Sequence, residues 1–525
     1  MRLQKFTYLF SLFNIICTIP FLTNLWNFDV SILFITTTLI CEFFVLSTFY
    51  SLVFWKKTTS PLVYFLLLAN AWCFYFSYNF NTPINSDIII NTLQANKEEA
   101  GGLFSWKLVF IMSFFGFLPC YLYYYFTKKI NIFDDEKRKI LIAKGITILS
   151  SIVFIVIAIF CDFKNFLIIR QNSELFDYVP PYNYTKGIVS TINTYRKLNK
   201  KQTTKDTNTT TPIINEVFDN KINLNTKNKN VIIFIIGESQ RSKSISYNGY
   251  ERNTMEFLDK YRQNIINFQN FYSCNTSTFN SIPCMFSYSD NLSLDEMVDG
   301  RNFLDIFNYL KFDLKWKTNN GDCKGVCSAI PNIIKYQTDE DLVDELPKDI
   351  SVLQEKNNVI FLHIRGSHGT EYYKRYPKEF EKWSPVCQER ELRKCKDAEI
   401  INAYDNSMRY SMFLVSKVID NLQKLKNINA SVIFISDHGE AIGENGFYLH
   451  ATPFLLTKES VGKVASFMWF NDNFIKEFKM NKQCIKDLES KKYTHFNIYH
   501  TMLGLFEIEE KNYNNKMDIF AKCKL

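Results

Sequence analysis

Five apolar stretches occupy the first third of the chain, and they constrain the fold more than any other feature of the sequence. Crossing a bilayer as a helix takes about 20 residues, and each stretch is long enough to do so. We place the spans at 7–27, 30–54, 61–79, 103–127 and 139–161. The first span leads quickly into the second and has no small-residue cleavage site, so it is not a cleavable signal peptide. Residues 1–161 are therefore predicted to form a five-helix transmembrane domain.

The positive charges between these spans predict the orientation of the chain. Basic residues cluster before the first span, between the second and third, and between the fourth and fifth. They are Arg2, Lys5, Lys56, Lys57, Lys128, Lys129, Lys137, Arg138 and Lys139. Because Lys and Arg are enriched in cytoplasmic loops, we expect the N-terminus to be cytoplasmic. Everything after residue 161 then lies outside the cytoplasm.

The overall charge gives little support to nucleic-acid binding. The formal net charge is +8 over 525 residues, and the polar part of the chain has no concentrated stripe of Lys and Arg. No nucleic-acid partner is therefore expected. One acidic residue, Glu42, falls inside a span, where such a residue usually faces the bundle interior or a wet cavity. A functional role for Glu42 stays open.

The cysteines agree with an exported domain after the spans. Eight of the 13 cysteines lie beyond the spans, and the first six of these form three closely spaced couples. The couples are Cys274 with Cys284, Cys323 with Cys327, and Cys387 with Cys395. Close spacing in an exported domain favours local disulfides, and no second couple follows Cys323 and Cys327 with the spacing of a zinc site. Cys484 and Cys523 are left as a long-range pair.

The remainder divides into a linker and an α/β domain. Residues 162–230 begin as an amphipathic segment and end in a polar connector, and 231–525 is the predicted soluble domain. Apolar, β-branched runs at 231–236, 359–364 and 431–436 are typical of buried parallel strands covered by helices on both faces. In such sheets ligands bind beyond the C-terminal ends of the strands.

The residues at those strand ends predict a metal site. Glu238 follows the first run, His368 follows the second, and Asp437 and His438 follow the third. A single acid after a strand is usually a cap or a solvated residue, but acids and imidazoles on three strand ends form a good zinc ligand set. His363, His495 and His500 are interpreted as structural.

A hydroxyl-rich segment is the candidate source of a nucleophile. Residues 274–284 carry several Ser and Thr side chains between two cysteines. A bound metal can activate a hydroxyl at a helix N-terminus, where the dipole also favours phosphate. The residues by themselves do not choose between Thr276, Ser277, Thr278 and Ser281.

Several motifs together resemble one known family. They are Gly237–Ser242, Asn248–Thr254, Ser273–Tyr288, Asn402–Asn406 and Ser436–His450. The chain is similar over nearly its whole length to the bacterial phosphoethanolamine transferases that modify lipid A and related envelope acceptors. These enzymes are a branch of the alkaline phosphatase/sulfatase superfamily. The fold implied is a five-helix transmembrane domain followed by an α/β domain with a mostly parallel sheet.

The resemblance implies a nucleophile and a zinc site. Thr278 would be the nucleophile, and Glu238, Thr278, Asp437 and His438 would hold one zinc ion. A second zinc ion is an alternative that the resemblance leaves open. The three close cysteine couples match disulfides of the family.

The resemblance also implies contacts to the substrate. Lys324 would contact the phosphate, and His368 and His450 would lie near the transferred group or a further zinc ion. Asn91 and Glu99, in the loop before the fourth span, match positions near the phosphoethanolamine headgroup.

The implied reaction transfers a headgroup from one component of the cell envelope to another. Phosphoethanolamine would pass from phosphatidylethanolamine to an envelope acceptor through a phosphoethanolamine-threonine intermediate. Lipid A is the expected acceptor. The protein would be a monomer of the bacterial inner membrane with a periplasmic catalytic domain, and it would contribute to polymyxin resistance. A phosphoglycerol transferase, a phosphodiesterase and a sulfatase of the same superfamily are the alternatives. The sulfatase is disfavoured because 274–290 lacks the Arg of a sulfatase motif.

Overall fold

The protein is described by a computed structural model that divides into two compact units. The described residues are 2–26, 30–94, 105–133, 136–171, 173–205, 228–289, 297, 302–330, 333–353, 357–450 and 457–524. The helical unit is Met1–Thr191 and the α/β unit is Ile192–Leu525. The boundary falls within the predicted linker segment, 162–230.

The helical unit consists of helices joined by short connections. These are α1 Arg2–Ile15, α2 Ile19–Trp26, α3 Ile32–Val53, α4 Thr59–Phe80, α5 Ser86–Gln94, α6 Trp106–Ile111, α7 Leu118–Lys129, α8 Lys137–Cys161, α9 Phe163–Gln171 and α10 Tyr182–Lys205. A π-helical segment, Met112–Phe117, joins α6 to α7. Helix α10 runs past Thr191, the last residue of this unit, and all of it falls within the predicted linker segment, 162–230.

Among the described residues, five helical stretches are long and apolar enough to cross a membrane, which confirms the predicted transmembrane fold. They are Arg2–Trp26, Ile32–Val53, Thr59–Phe80, Trp106–Lys129 and Lys137–Phe160. Polar side chains of α1 face the inside of the bundle: Gln4 donates to the hydroxyls of Ser51 and Thr147 at 2.9 and 2.7 Å. Apolar Leu9 and Leu12 are exposed. Because lipid solvates apolar groups, this inverted arrangement suits a membrane bundle.

The α/β unit is built on a seven-stranded sheet among the described residues. The strands of the unit are β1 Lys229–Gly237, β2 Ile265–Asn267, β3 Asn270–Tyr272, β4 Asp313–Thr318, β5 Ile333–Lys335, β6 Asn357–His363, β7 Ile428–Ser436, β8 Ala441–Ile442, β9 Tyr448–Leu449, β10 Ser466–Phe470 and β11 Lys492–Thr494. The order in the main sheet is β2-β10-β7-β1-β6-β4-β5. The central strands are parallel and β10 is antiparallel, so the mostly parallel α/β fold is confirmed.

Both faces of the sheet are buried, as the continuous apolar runs predict. Along β1, Val231, Ile233 and Ile235 belong to one hydrophobic core, whereas the intervening residues, such as Phe234, belong to the other. Helices of the unit are α11 Thr278–Phe286, α12 Phe303–Tyr309, α13 Asp339–Asp344, α14 Leu346–Ser351, α15 Asp397–Gln423, α16 Asp472–Glu477, α17 Lys482–Asp487 and α18 Asn497–Leu505. The C-terminal strand ends are thereby held on a rigid, packed frame.

Disulfide bonds join the cysteines of the α/β unit. The pairs are Cys274–Cys284, Cys323–Cys327, Cys387–Cys395 and Cys484–Cys523. The Cys274–Cys284 bond closes a loop that contains the hydroxyl-rich segment and the start of α11.

Candidate metal centre

Two acidic residues lie side by side where neighbouring parallel strands end. Glu238 follows β1 and Asp437 follows β7, and the register pairs Gly237 with Ser436 directly before them. His438 is next along the chain, and all three side chains are fully buried. The C-terminal edge of the sheet therefore collects two carboxylates and an imidazole out of contact with water.

These three side chains are spaced as the ligands of one metal ion. His438 Nε2 lies 3.3 Å from Glu238 Oε1 and 3.4 Å from Asp437 Oδ2. His438 Nδ1 lies 2.8 Å from the carbonyl oxygen of Gly439, so this contact directs Nε2 toward the acids. Asp437 Oδ2 is buried without a hydrogen-bond partner, although ligand atoms of all three residues lie within 4.8 Å of one another. A cation would coordinate this oxygen and offset the repulsion between the two carboxylates.

The electrostatics of the cluster also fit a cation. Burial raises the pKa of Asp437 well above its usual value, and the neighbouring Glu238 carboxylate raises it further. Burial lowers the pKa of His438 to about 4 and that of His368 to about 3. Neutral imidazoles and paired carboxylates are the forms in which these groups bind a divalent metal.

The backbone around Glu238 is held in an unusual conformation. Ser239 has a φ of 59°, and its amide and hydroxyl donate to Asp437 Oδ1 and Glu238 Oε1 at 3.3 and 2.8 Å. Gly366 has a φ of 49°, and a Cβ there would lie 2.8 Å from the carbonyl oxygen of Glu238. Ser239 is thus a strained position, of the kind retained where it orients functional groups, whereas Gly366 adopts its conformation because it lacks a Cβ.

Thr278 presents its hydroxyl to this cluster. It is the first residue of α11, and its Oγ1 lies 3.0 Å from Glu238 Oε2 and 3.1 Å from His438 Nε2. Ser277 and Ser281 donate to oxygens of Asn275 instead. Since the helix N-terminus favours negative charge, it is a suitable place for both an alkoxide and a phosphoryl group.

Two further histidines, both half-buried, lie beside the cluster. The ring centroid of His450 is 4.4 Å from that of His438 and 5.2 Å from that of His368. His450 Nδ1 lies 3.0 Å from Glu440 Oε2, and Tyr372 donates to Glu440 Oε1 at 2.8 Å. Glu238, His368 and His450 form a second group that could hold a metal ion.

The remaining predicted residues are Lys324, Asn91 and Glu99. Lys324 Nζ is 3.4 Å from Asp322 Oδ1, and its side chain is largely buried. Asn91 belongs to α5, but its side chain falls outside the described residues. Glu99 also lies outside the part of the chain that the structure describes. The roles predicted for Asn91 and Glu99 stay predictions.

The structure adds residues to which the sequence reasoning gave no role. Asn320 donates to Glu238 Oε2 at 2.6 Å and lies 3.1 Å from His363 Nε2. His363, interpreted as a core residue, therefore also supports the cluster through Asn320. Glu440 falls inside the motif Ser436–His450, so the motif itself was a signal for it. Asn320 and Tyr372 lie outside the motifs, so no sequence signal pointed to them.

Comparisons with known proteins identify the family. A family model described as sulfatase matches residues 230–508, and one described as phosphoethanolamine transferase EptA/EptB matches residues 42–196. Phosphoethanolamine transferase EptA of Escherichia coli K12 is 30% identical over 488 residues, which is 88% of this chain and 85% of that protein. The chain belongs to the phosphoethanolamine transferase family. It is therefore an enzyme, and it combines membrane helices with a sulfatase-like domain.

Solved structures of phosphoethanolamine transferases share the fold. The integral membrane lipooligosaccharide phosphoethanolamine transferase A of Neisseria meningitidis superimposes with a TM-score of 0.87 at 25% identity, covering 99% of this chain and 98% of that one. The C-terminal periplasmic domain of phosphoethanolamine transferase EptC from Campylobacter jejuni is 34% identical with a TM-score of 0.51, covering 56% and 94%. Both the whole architecture and the α/β unit are therefore those of the phosphoethanolamine transferases.

Proposed function

We propose that this protein transfers phosphoethanolamine from phosphatidylethanolamine to lipid A through a covalent intermediate on Thr278. The single observation that carries the proposal is the position of the Thr278 hydroxyl, between Glu238 and His438 at the N-terminus of α11. The Neisseria meningitidis relative is named for transfer to lipooligosaccharide, which supports a lipid acceptor.

The buried ligand set fits Zn²⁺. Glu238, Asp437 and His438 supply carboxylate oxygens and an imidazole nitrogen, and Thr278 Oγ1 completes a four-ligand set. When bound, the ion would lower the pKa of the Thr278 hydroxyl and stabilise negative charge on phosphoryl oxygens. His368 and His450 would hold a second ion or contact the transferred group.

In the first step Thr278 Oγ1 attacks phosphorus in line, and its hydroxyl proton passes to Glu238 Oε2, to which the hydroxyl donates at 3.0 Å. A phosphorus–oxygen bond to Thr278 forms, and the bond from phosphorus to the glycerol oxygen breaks. Diacylglycerol leaves with a proton on that oxygen, and His450, held through Nδ1 by Glu440, is placed to donate it. Lys324 would offset charge on the phosphoryl oxygens.

In the second step the acceptor displaces Thr278. A phosphate or hydroxyl oxygen of lipid A attacks the same phosphorus from the side opposite Thr278. The bond to Thr278 breaks. The proton of the attacking oxygen passes to His450, which lost one in the first step, and Glu238 returns a proton to Thr278 Oγ1. Donor and acceptor are both membrane lipids, which explains why an enzyme of this kind carries spanning helices.

The topology is part of the proposal. The basic residues between the spans support a cytoplasmic N-terminus and a periplasmic α/β unit in a bacterial inner-membrane protein. The disulfides of the α/β unit support an oxidising compartment.

The test is mass spectrometry of lipid A from cells that make the wild-type protein, Thr278→Ala, Ser281→Ala or no protein. Ser281 is the matched control because its hydroxyl lies in the same helix but donates to the carbonyl oxygen of Asn275 at 3.0 Å. We expect a phosphoethanolamine mass increment with wild type and Ser281→Ala, and a loss of at least about 1000-fold with Thr278→Ala.

Other results would redirect the proposal. A phosphoglycerol increment would assign a different headgroup. A phosphoethanolamine increment on core sugars or proteins alone would assign a different acceptor. Transfer that persists in Thr278→Ala would exclude the threonine intermediate.

A further inference from the structure

The helical unit contains a cavity that the proposed chemistry does not use. Its volume is 410 Å³, within the range of about 300–1000 Å³ typical of ligand sites. The walls come mainly from α3 and α8, and they include Phe34, Val45, Ile155 and Ile159. The cavity is partly open and lies toward the end of the bundle at which α8 terminates.

One carboxyl group lines this apolar cavity. Glu42 is only 7% exposed, and neither of its oxygens has a hydrogen-bond partner among the described residues. The hydroxyl of Thr18 lies near it but donates to the carbonyl oxygen of Ile15 at 2.7 Å. The hydroxyl of Thr38 donates to the carbonyl oxygen of Phe34 at 2.8 Å. These two threonine hydroxyls are therefore already engaged with backbone carbonyl oxygens.

An unsatisfied carboxyl within the apolar part of a bilayer is costly. Each unpaired polar group there costs several kcal/mol, which favours any occupant that brings a hydrogen-bond donor to Glu42. Such a residue within a span is by default a candidate functional site. The occupant must also be largely apolar to fill the remaining walls.

The charge of the lining selects the headgroup of that occupant. Lys, Arg and His are absent from the described residues that line the cavity. A phosphate would have no counter-ion here and would be repelled by a carboxylate. A neutral lipid with a free hydroxyl meets both requirements, because it donates one hydrogen bond and carries no charge.

Diacylglycerol is the neutral lipid that the proposed transfer produces. We propose that the cavity binds diacylglycerol, with the glycerol hydroxyl donating to the carboxyl group of Glu42 and the acyl chains lying against the apolar walls. Glu42 is ten residues into α3, about 15 Å along the helix, a depth that a lipid with no charged headgroup can reach. The identity of the lipid rests on the proposed function, whereas the existence of the site rests on the cavity and Glu42.

Sequestering this product has a chemical consequence. The hydroxyl of diacylglycerol can attack the phosphoethanolamine-threonine intermediate and regenerate phosphatidylethanolamine, because each step is reversible. Product held at Glu42 is withdrawn from that reaction. The site would thereby favour transfer to the acceptor.

The test uses photo-crosslinking of the full-length chain in lipid nanodiscs. The probe is a diazirine-bearing diacylglycerol, compared with a phosphatidylethanolamine that carries the same diazirine chain. All proteins carry Thr278→Ala, so labelling needs no turnover and does not depend on the proposed transfer. Labelled peptides are identified by mass spectrometry.

We expect the diacylglycerol probe to label peptides of α3 and α8, and unlabelled diacylglycerol to compete. Glu42→Leu should reduce this labelling about five- to tenfold, the value of one hydrogen bond to a carboxyl group. Glu42→Gln should keep most of it because the amide retains an acceptor oxygen. Thr36→Leu is the matched control, since Thr36 lies on α3 but is exposed and outside the cavity.

Three outcomes would overturn the site. One is equal labelling of the cavity by the phosphatidylethanolamine probe, which would make it a phospholipid site. The second is labelling that Glu42→Leu leaves unchanged in a protein with wild-type thermal stability. The third is no labelling of α3 or α8. None of these would alter the lipid A mass increment, which tests the transfer separately.

Discussion

Glu238 and Asp437 of the α/β unit are buried beside each other and beside an imidazole, whereas Glu42 of the helical unit is buried alone against an apolar cavity. Both arrangements leave a carboxylate oxygen without a hydrogen-bond partner among the described residues. The surroundings differ. Two acids with neutral imidazoles need a cation, and one acid among apolar walls needs a hydrogen-bond donor. A buried acid therefore indicates its ligand through its neighbours.

The largest expected effect comes from breaking the acid pair. Asp437→Asn keeps the shape of the side chain but removes a charge that a metal ion requires. We expect bound zinc, measured by elemental analysis of the purified protein, to fall below one equivalent, and transfer to fall by at least about 100-fold. Losses of about 10- to 100-fold are typical of residues that only support the ligands, so a ligand should exceed them.

Asp405→Asn is the matched control for that variant. Asp405 is also a buried acid of the α/β unit, but it accepts from Arg252 at 2.9 Å and Tyr250 at 2.7 Å. This variant should lose thermal stability and keep its zinc. Wild-type zinc content in Asp437→Asn would contradict the assignment of Asp437 as a ligand.

An intermediate effect is expected where an acid orients an imidazole. Glu440→Gln weakens the contact to His450 Nδ1 while leaving an oxygen that accepts from Tyr372. We predict a fall of about 10-fold in kcat, with KM and zinc content unchanged and an altered pH profile of kcat. Tyr372→Phe removes only the second contact and should have a smaller effect. A rise in KM without a change in kcat would show that Glu440 acts in substrate binding instead.

The smallest effect is expected at a buried acid whose contacts are hydrogen bonds. Asp518 accepts from the amide of Phe520 at 2.9 Å and the hydroxyl of Tyr513 at 3.0 Å. Burial raises its pKa from 3.8 to about 6, and those contacts together with Lys524 reduce the shift. Because the folded pKa is above the unfolded value, Asp518 destabilises the fold increasingly as the pH rises from about 4 to 6, by about 1–3 kcal/mol.

Asp518→Asn should remove that part of the pH dependence. Thermal unfolding of the full chain between pH 4 and 7 would show a variant that gains stability relative to wild type as the pH rises. A constant difference between the two proteins across this range would show that Asp518 keeps its ordinary pKa in the fold.

Much of the architecture could be predicted from local sequence. The five spans follow from apolar length, and the buried strands β1, β6 and β7 follow from β-branched runs that lack polar alternation. The residues after those runs were expected at one edge because parallel strands end together. The structure brings Glu238, Asp437 and His438 together there, and their ligand roles stay a proposal.

The choice of nucleophile could not be made from local sequence. Four hydroxyl residues near the start of α11 fitted equally well, and only family resemblance selected Thr278. In the structure its hydroxyl contacts Glu238, 40 residues away, and His438, 160 residues away. Asn320, which joins Glu238 to His363, could not be predicted for the same reason.

The sequence by itself determined which segments are apolar enough to enter a membrane or a sheet, because that depends on the composition of neighbouring residues. It placed Glu42 inside a span. Only the tertiary structure decided that Glu42 lines a cavity and that Glu440 holds His450. Those facts depend on which distant segments pack together, and packing brings partners into contact irrespective of their separation along the chain.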